Sequence, residues 1–133
     1  MRTNISIVVA AYVRLSVDEA GKSVSGSIEN QISLIKEYCA KRELIVAAVF
    51  QDDGWSGGNF ERPGWQQLIA DIDSGKIGAV LVKDMSRIGR DYLQTGFYTE
   101  IYFKEKDVRF IAIDSHVDNS RSDSFEFAPM LNV

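Results

Sequence analysis

Four apolar segments of strand length recur along the chain, and an amphipathic segment follows each of the first three. The apolar segments are residues 5–13, 44–50, 77–82 and 108–113. Strands that alternate with helices at this spacing predict right-handed βαβ units, which bring parallel strands side by side. We therefore expect an α/β domain, a three-layer sandwich with a mostly parallel central sheet and helices on both faces.

The segments between these strands carry signals for the ends of helices. Ser27 suits an N-cap, and apolar residues at helical spacing continue to about Arg42. Pro63 suits the first position of a second helix, and Gly75 suits its end. Ser86 is a candidate N-cap for a third helix. Its predicted apolar stripe consists of Leu93, Phe97, Tyr98, Ile101 and Tyr102.

Arginines follow three of the predicted strands, and one of them is close to a serine. Arg14 and Ser16 end the first strand, and because an unpaired buried charge is very costly, we expect the chain to reach the surface there. Arg62 follows the second strand, and Arg87 and Arg90 follow the third. Open α/β sheets bind ligands at the carboxyl ends of their strands, and guanidinium groups match phosphate oxygens. This pattern predicts a serine hydroxyl surrounded by arginines at a phosphate site.

The spacing of Arg87 and Arg90 adds a second indication of an anion. Residues three apart share one face of a helix, and a helix N-terminus favours negative charge. Two arginines at the start of the predicted third helix are therefore unfavourable unless an anion binds there.

Composition narrows the classes of function. The formal net charge is −4 and the pI is near 5.0, so bulk positive charge does not attract nucleic acid, and local arginines or another domain must supply affinity for DNA. Cys39 is the single cysteine, which excludes an internal disulfide and fits a reducing cytosol. With His116 as the single histidine and no glycine-rich phosphate loop with its lysine, we expect no metal and no nucleotide cofactor.

Three motifs resemble those of one family. They are YVRLS at residues 12–16, the stretch from Asp53 to Arg62, and SRIGRD at residues 86–91. In this order they resemble the catalytic domain of the serine recombinases, which include resolvases, invertases and the large transposon and phage integrases. The pieces WSG at residues 55–57 and KDMSR at residues 83–87 are most like the large, transposon-encoded subgroup.

The resemblance implies a mechanism. Ser16 would attack a DNA phosphodiester and form a transient 5′-phosphoserine link, and strand exchange and religation would follow without metal or cofactor. The residues implied to bind and activate the phosphate are Arg14, Arg62, Arg87 and Arg90. The implied supporting polar residues are Gln31, Asp53 and Ser56. One position departs from the family, because many small resolvases carry an aspartate where this chain has Ser86, and Asp84 lies two residues earlier.

The resemblance also implies partners. DNA would be bound largely through domains outside these residues, and the full-length protein would form a dimer and a synaptic tetramer in the bacterial cytoplasm, with no membrane association. We expect residues 1–133 to be an N-terminal catalytic domain that ends before a long interface helix and the DNA-binding domains. Alone, the chain should fold, recombine nothing and bind DNA weakly and salt-sensitively. We expect Ser16 and the arginines to be loosely arranged without DNA.

Two other classes fit the same βα rhythm. A flavodoxin-like or receiver-type signalling domain has it, but a receiver needs carboxylates after its first strand, where this chain has Arg14 and Ser16. A non-catalytic assembly module of a recombination complex would use the fold without the chemistry.

Overall fold

The computed structural model describes residues 7–15, 27–55 and 60–119. The described strands are β1 (Val9–Leu15), β2 (Val46–Asp53), β3 (Ala79–Val82), β4 (Arg109–Ala112) and β5 (Val117–Asp118). The described helices are α1 (Ile28–Ala40), α2 (Pro63–Asp73), α3 (Tyr92–Gly96) and α4 (Phe103–Glu105). A 3₁₀-helical turn (Met85–Arg87) precedes α3, and a π-helical stretch (Phe97–Tyr102) joins α3 to α4.

The described strands form one sheet in the order β2-β1-β3-β4-β5. The pairs β1–β2, β1–β3 and β3–β4 are parallel, and β4–β5 is antiparallel. The prediction of a mostly parallel sheet is therefore confirmed. The chain places β2 on one side of β1 and then crosses to place β3 on the other side. The order in which strands are added therefore reverses between β1 and β3. The carboxyl ends of the strands at such a switch point form the ligand crevice of open α/β folds.

Helices cover both faces of the sheet, as predicted. On one face, Ile35 and Cys39 of α1 pack against Val13 and its neighbours in the sheet. On the other face, Trp65 of α2 and Phe103 of α4 belong to the larger cluster of buried side chains. Burial of apolar area on the two faces stabilises the three-layer arrangement.

The helix signals that depend on local sequence are confirmed for the first two helices. The Ser27 hydroxyl accepts a hydrogen bond from the Asn30 N–H at 3.1 Å and caps α1. Pro63 occupies the first turn of α2, and Gly75 follows that helix with a φ of 79°. Since this φ lies in the left-handed region, glycine suits the position.

The second strand extends further than predicted. Residues 51–53, predicted as loop, belong to β2, which is an edge strand whose exposed positions alternate with half-buried ones and, at Asp52, with a buried one. The polar stretch after β4, also predicted as loop, contains the short strand β5, and Asn119 ties it back by hydrogen bonds with Phe110 N and Val108 O. Pairing with a neighbouring strand explains both extensions: β2 pairs with β1 and β5 pairs with β4. Backbone hydrogen bonds in a sheet can hold polar residues in a strand, which a pattern of apolar residues does not predict.

The third helical segment begins differently from the prediction. Ser86 does not cap it, because the Asp84 carboxylate caps the 3₁₀-helical turn and the Asp91 carboxylate caps α3. Of the predicted apolar stripe, Leu93, Phe97 and Ile101 are exposed. The π-helical stretch places an additional residue in its turn, so later side chains fall on a different face from the one that an α-helical period predicts. Tyr98 and Tyr102 pack against the larger buried cluster, as expected.

Candidate active site

Three arginines meet where β1 and β3 end. Arg14 belongs to β1, Arg62 precedes the first turn of α2, and Arg87 ends the 3₁₀-helical turn that follows β3. Their side chains are buried, with exposed fractions of 1%, 0% and 5%. The expectation that the chain reaches the surface at Arg14 is therefore wrong. The charge stays inside because the fold supplies partners for it.

The partners of Arg14 are backbone carbonyls. Its Nε donates to Arg87 O at 3.2 Å, Nη1 to Trp55 O at 2.8 Å and Nη2 to Ser86 O at 2.6 Å. A buried guanidinium is tolerated when its N–H groups are hydrogen-bonded, because the desolvation cost is then offset. Arg14 thereby joins the end of β1 to the end of β2 and to the segment after β3.

Arg62 combines hydrogen bonds with aromatic contacts. Its Nη1 donates to Tyr12 Oη at 3.0 Å and to Arg87 O at 3.2 Å, and its Nη2 donates to Ile88 O at 2.5 Å. Its Cζ lies 4.7 Å from the centroid of the Phe60 ring, a distance typical of cation–π attraction. These contacts fix the side chain in one orientation.

Arg87 completes the cluster. Its Nη1 donates to Arg14 O at 3.0 Å, and its Nε lies 3.7 Å from Asp84 Oδ1. Its own carbonyl accepts hydrogen bonds from Arg14 and from Arg62. The three arginines are thus interlocked through the main chain. For these three residues the expectation of a loose arrangement without DNA is wrong.

Gln31 supports the end of β1 from the neighbouring helix. Its Oε1 accepts from Arg14 N at 3.1 Å, and its Nε2 donates to Arg14 O at 2.9 Å. The side chain is fully buried on the face of α1 that also buries Ile35 and Cys39. A polar residue at the same helical spacing as buried apolar residues is the sequence signal for this role.

Sequence reasoning missed Asp52, which has a larger structural role than its neighbour Asp53. Its Oδ1 accepts from Gly64 N at 2.7 Å, and its Oδ2 accepts from Trp65 N at 2.9 Å and from Tyr12 Oη at 2.7 Å. A carboxylate at a helix N-terminus satisfies free N–H groups and is favoured by the helix dipole. Asp52 therefore caps α2 from the adjacent strand, since Arg62 at the N-cap position makes no capping side-chain bond.

The remaining predicted residues lie elsewhere. Asp53 is exposed at the end of β2, and Arg90 is exposed in the bend before α3. The prediction that Arg87 and Arg90 share a helical face is wrong, because the 3₁₀-helical turn ends at Arg87 and α3 begins after Arg90. Ser16 and Ser56 lie outside the described residues. The structure brings together Arg14, Gln31, Arg62 and Arg87, and it does not bring Asp53 or Arg90 into this buried cluster.

Comparison with known proteins assigns the chain to a family. Residues 9–133 match the sequence profile of the resolvase N-terminal domain. The chain belongs to the resolvase family. Its fold resembles the N-terminal catalytic domain of TP901-1 integrase, with a TM-score of 0.80 and 30% identity over 92% of this chain and 89% of that one. It also resembles a resolvase family site-specific recombinase from Streptococcus pneumoniae, with a TM-score of 0.72 and 26% identity over 92% of this chain and 82% of that one.

A curated relative is much longer than this resolvase-family chain. The chain is 27% identical over 121 residues to a Bacillus subtilis (strain 168) protein named "Putative DNA recombinase". The match covers 90% of this chain and 23% of that protein. The resemblance to serine recombinases that the motifs predict is confirmed by these matches. The receiver alternative is not supported, because the chain belongs to another family and Asp52 is buried in hydrogen bonds with α2 and Tyr12.

Charged side chains cluster in this resolvase-family domain. Among the described side chains, the guanidinium groups of Arg14, Arg62 and Arg87 lie close together, and the carboxylates of Asp52 and Asp84 lie beside them. Burial acts to raise the pKa of Asp84. The hydrogen bond from Ser86 and the charges of Arg87 and Lys83 outweigh it and hold that pKa below the ordinary value.

Tyr12 stays protonated within the cluster. Burial raises the pKa of its hydroxyl above the ordinary value, against the opposing charge of Arg62, and the hydrogen bond with Asp52 raises it further. The hydroxyl therefore remains a donor to Asp52 and an acceptor for Arg62.

Across residues 7–15, 27–55 and 60–119, no helix is both long and apolar enough to cross a membrane. Within the same part of the chain, no group of three or more His, Cys, Asp or Glu residues is placed to hold a metal ion.

Proposed function

We propose that this chain is the catalytic domain of a site-specific DNA recombinase of the large, transposon-encoded type, with Ser16 as the nucleophile. The observation that carries the proposal is the buried cluster of Arg14, Arg62 and Arg87 at the carboxyl ends of β1 and β3. Ser16 follows Arg14 by two positions in the sequence. Membership of the resolvase family and the similarity to the catalytic domain of an integrase support this assignment.

In the proposed reaction the Ser16 oxygen attacks the phosphorus of a DNA phosphodiester. A bond from the phosphorus to the serine oxygen forms, the bond to the 3′-oxygen breaks, and a proton passes from the serine to that departing oxygen. The products are a 5′-phosphoserine link and a free 3′-hydroxyl, which later reverses the reaction on a new partner strand. Because the phosphoryl group gains negative charge in the transition state, fixed positive charge accelerates the step.

The arginines have two roles in this proposal. Arg14, Arg62 and Arg87 bind carbonyls of the surrounding segments, so they fix the frame around the end of β1 and supply a positive potential. Arg90 is exposed, and we assign to it a direct contact with a phosphate oxygen. Gln31 holds the backbone that leads to Ser16, and we retain Asp53 and Ser56 as candidates for contacts with DNA.

Affinity for DNA is assigned to more than these residues. A net charge of −4 gives little general attraction to DNA. We propose that other domains of the complete protein recognise the sites, that copies of the protein assemble into a dimer and then a synaptic tetramer, and that they act on DNA in the cytoplasm for excision or insertion of an element.

The test is a covalent adduct. The complete protein that carries these residues is incubated with DNA duplexes containing the sequences that flank its gene, quenched with detergent, and separated on a denaturing gel. We expect a protein–DNA adduct with the native protein and none with Ser16→Ala. Ser33→Ala is the matched control, since Ser33 lies on the exposed side of α1, and it should form the adduct at the native rate.

The outcomes separate the two candidate functions. An adduct that persists in Ser16→Ala contradicts the assignment of the nucleophile. DNA complexes that assemble on both duplexes without any adduct, with the native protein, favour the non-catalytic assembly module instead.

A further inference from the structure

Two consecutive backbone N–H groups converge on one oxygen at the carboxyl end of β1. Gly54 N donates to Leu15 O at 2.5 Å, and Trp55 N donates to the same oxygen at 3.2 Å. Consecutive N–H groups of an extended strand point to opposite sides of it, and they converge only where the chain turns. Because β2 ends at Asp53, this turn comes directly after the strand.

Gly54 gives the turn its shape. Its φ is 88°, in the left-handed region that glycine adopts readily and that a Cβ makes unfavourable. A Cβ at this position would lie more than 4 Å from every described atom beyond its two neighbours in the chain. The turn therefore requires glycine for its backbone conformation and not for lack of space.

The same turn also holds the side chain of Arg14. Trp55 O accepts from Arg14 Nη1 at 2.8 Å, so the backbone of Trp55 donates to Leu15 and accepts from Arg14. Hydrogen bonds from a charged donor are among the stronger ones in proteins. Gln31 binds the N–H and the carbonyl of Arg14 from the other side. The turn thus fixes the guanidinium and the next residue of β1 together.

Leu15 is the last described residue of β1, and Ser16 follows it in the sequence. Because a peptide group is planar, the bonds that fix the Leu15 carbonyl also fix the peptide group that joins Leu15 to Ser16. Two donors on one oxygen restrict rotation of this group more than one donor does. The turn after β2 therefore acts on the point at which the chain leaves β1.

We propose that Gly54 is a positioning residue for DNA cleavage: its left-handed turn fixes the Leu15 carbonyl and the Arg14 guanidinium, and through them the peptide that leads to Ser16. The inference rests on the proposed function. A displacement of a reacting group by about 1 Å can cost about 10²-fold in rate, so loss of this turn should slow cleavage without weakening the binding of DNA.

Gly54→Ala and Gly75→Ala form a matched pair. Gly75, after α2, has a φ of 79°, and a Cβ there also has no described atom within 4 Å beyond its chain neighbours. Both variants place an L-residue in the same unfavourable region, so both should lower the melting temperature of the complete protein by a similar amount. Gly75 makes no contact with the arginine cluster among the described hydrogen bonds, and its variant should form the adduct at the native rate.

The experiment measures single-turnover adduct formation by the complete protein on the duplexes described above, over a range of DNA concentrations. The maximal rate of Gly54→Ala should fall by about 10²-fold, while the DNA concentration that gives half of that rate should stay unchanged. Equal slowing in Gly54→Ala and Gly75→Ala would show that lost stability causes the defect, and it would overturn the positioning role. A defect confined to the half-maximal DNA concentration would overturn it as well.

Gly54→Asn separates backbone conformation from side-chain size. Asparagine is larger than alanine but adopts a positive φ more readily, so Gly54→Asn should retain more of the native rate than Gly54→Ala. A slower reaction in Gly54→Asn than in Gly54→Ala would attribute the defect to bulk and contradict the proposal.

Hydrogen exchange gives a readout that does not depend on chemistry. Exchange in a peptide that covers residues 51–55, measured by mass spectrometry, should be faster in Gly54→Ala and native in Gly75→Ala. Native exchange in Gly54→Ala would contradict the dependence of the turn on glycine. A native rate in Gly54→Ala, with an adduct that depends on Ser16, overturns this inference and leaves the proposed function intact. The absence of any adduct with the native protein overturns both.

Discussion

The Tyr12 hydroxyl donates a hydrogen bond of 2.7 Å to Asp52 Oδ2. The same hydroxyl accepts a bond from Arg62 Nη1 at 3.0 Å. A single oxygen on β1 therefore connects the carboxylate that caps α2 with the arginine that precedes it. The capping of α2 by Asp52 and the position of Arg62 therefore both depend on this one buried hydroxyl.

Tyr12→Phe should lower the free energy of unfolding by about 1–3 kcal/mol, because it leaves two buried polar groups each one partner short. Urea unfolding followed by circular dichroism measures the change. Tyr38→Phe is the control, since Tyr38 is half-buried on α1, and it should change the value by less than about 0.5 kcal/mol. Equal unfolding midpoints for Tyr12→Phe and the native chain would show that the bridge contributes nothing.

Gly64→Ala should destabilise the fold, because a Cβ at this position would lie 2.4 Å from Gln51 O and 2.9 Å from Asp52 Oδ2. The helix must then move away from β2, at a cost of about 1–3 kcal/mol. Gly96→Ala is the matched control, since a Cβ there has no atom within 4 Å, and alanine favours a helix by up to about 1 kcal/mol. Thermal melting should move in opposite directions for the two variants, and a shift in the same direction would contradict the packing argument.

Arg90 and Arg87 should differ in what their removal affects. Arg90→Ala should leave the free energy of unfolding within about 0.5 kcal/mol of the native value, because the side chain is exposed. Adduct formation should fall by about 10²–10³-fold if Arg90 stabilises the transition state. Arg87→Ala should also lower stability, by about 1–3 kcal/mol, because it removes a buried donor to Arg14 O. The same instability in both variants would contradict this division.

The pKa of Asp84 gives stability a dependence on pH. Because its folded pKa lies below the ordinary value of about 3.9, the ionised carboxylate stabilises the fold above that value and loses this effect as pH falls through the folded pKa. The difference in free energy of unfolding between the native chain and Asp84→Asn should therefore shrink as the pH falls from about 6 to below about 4. Glu105→Gln is the control, since Glu105 is an exposed residue of α4. A difference that grows toward acid would contradict the assigned sign.

Features set by neighbouring residues were predictable from the sequence. Ser27, Pro63 and Gly75 mark helix ends because each acts on the backbone within a few positions of itself. The alternation of strands and helices also predicted the sheet and its two covered faces. The motifs predicted the family, since they occur in a fixed order along the chain.

The partners of the arginines were not predictable in this way. Arg14 binds the carbonyls of Trp55, Ser86 and Arg87, and a carbonyl is present at every residue, so no residue type marks these acceptors. The family resemblance implied Asp53 and not Asp52, and the prediction that the second strand ends before both residues gave no reason to separate them. Once β2 is extended, the pleat turns Asp52 inward and Asp53 outward.

The carbonyl of Arg87 accepts hydrogen bonds from two arginines of other parts of the chain, and the carbonyls of Ser86, Ile88 and Trp55 accept further hydrogen bonds from the same two side chains. The positions of these arginine side chains therefore depend on the path of the main chain that carries the carbonyls. A substitution at Ile88 leaves its carbonyl available to Arg62, whereas insertion or deletion of one residue between Val82 and Asp91 would displace the carbonyls that bind the arginines. Among related sequences, the length of this segment should consequently vary less than its composition.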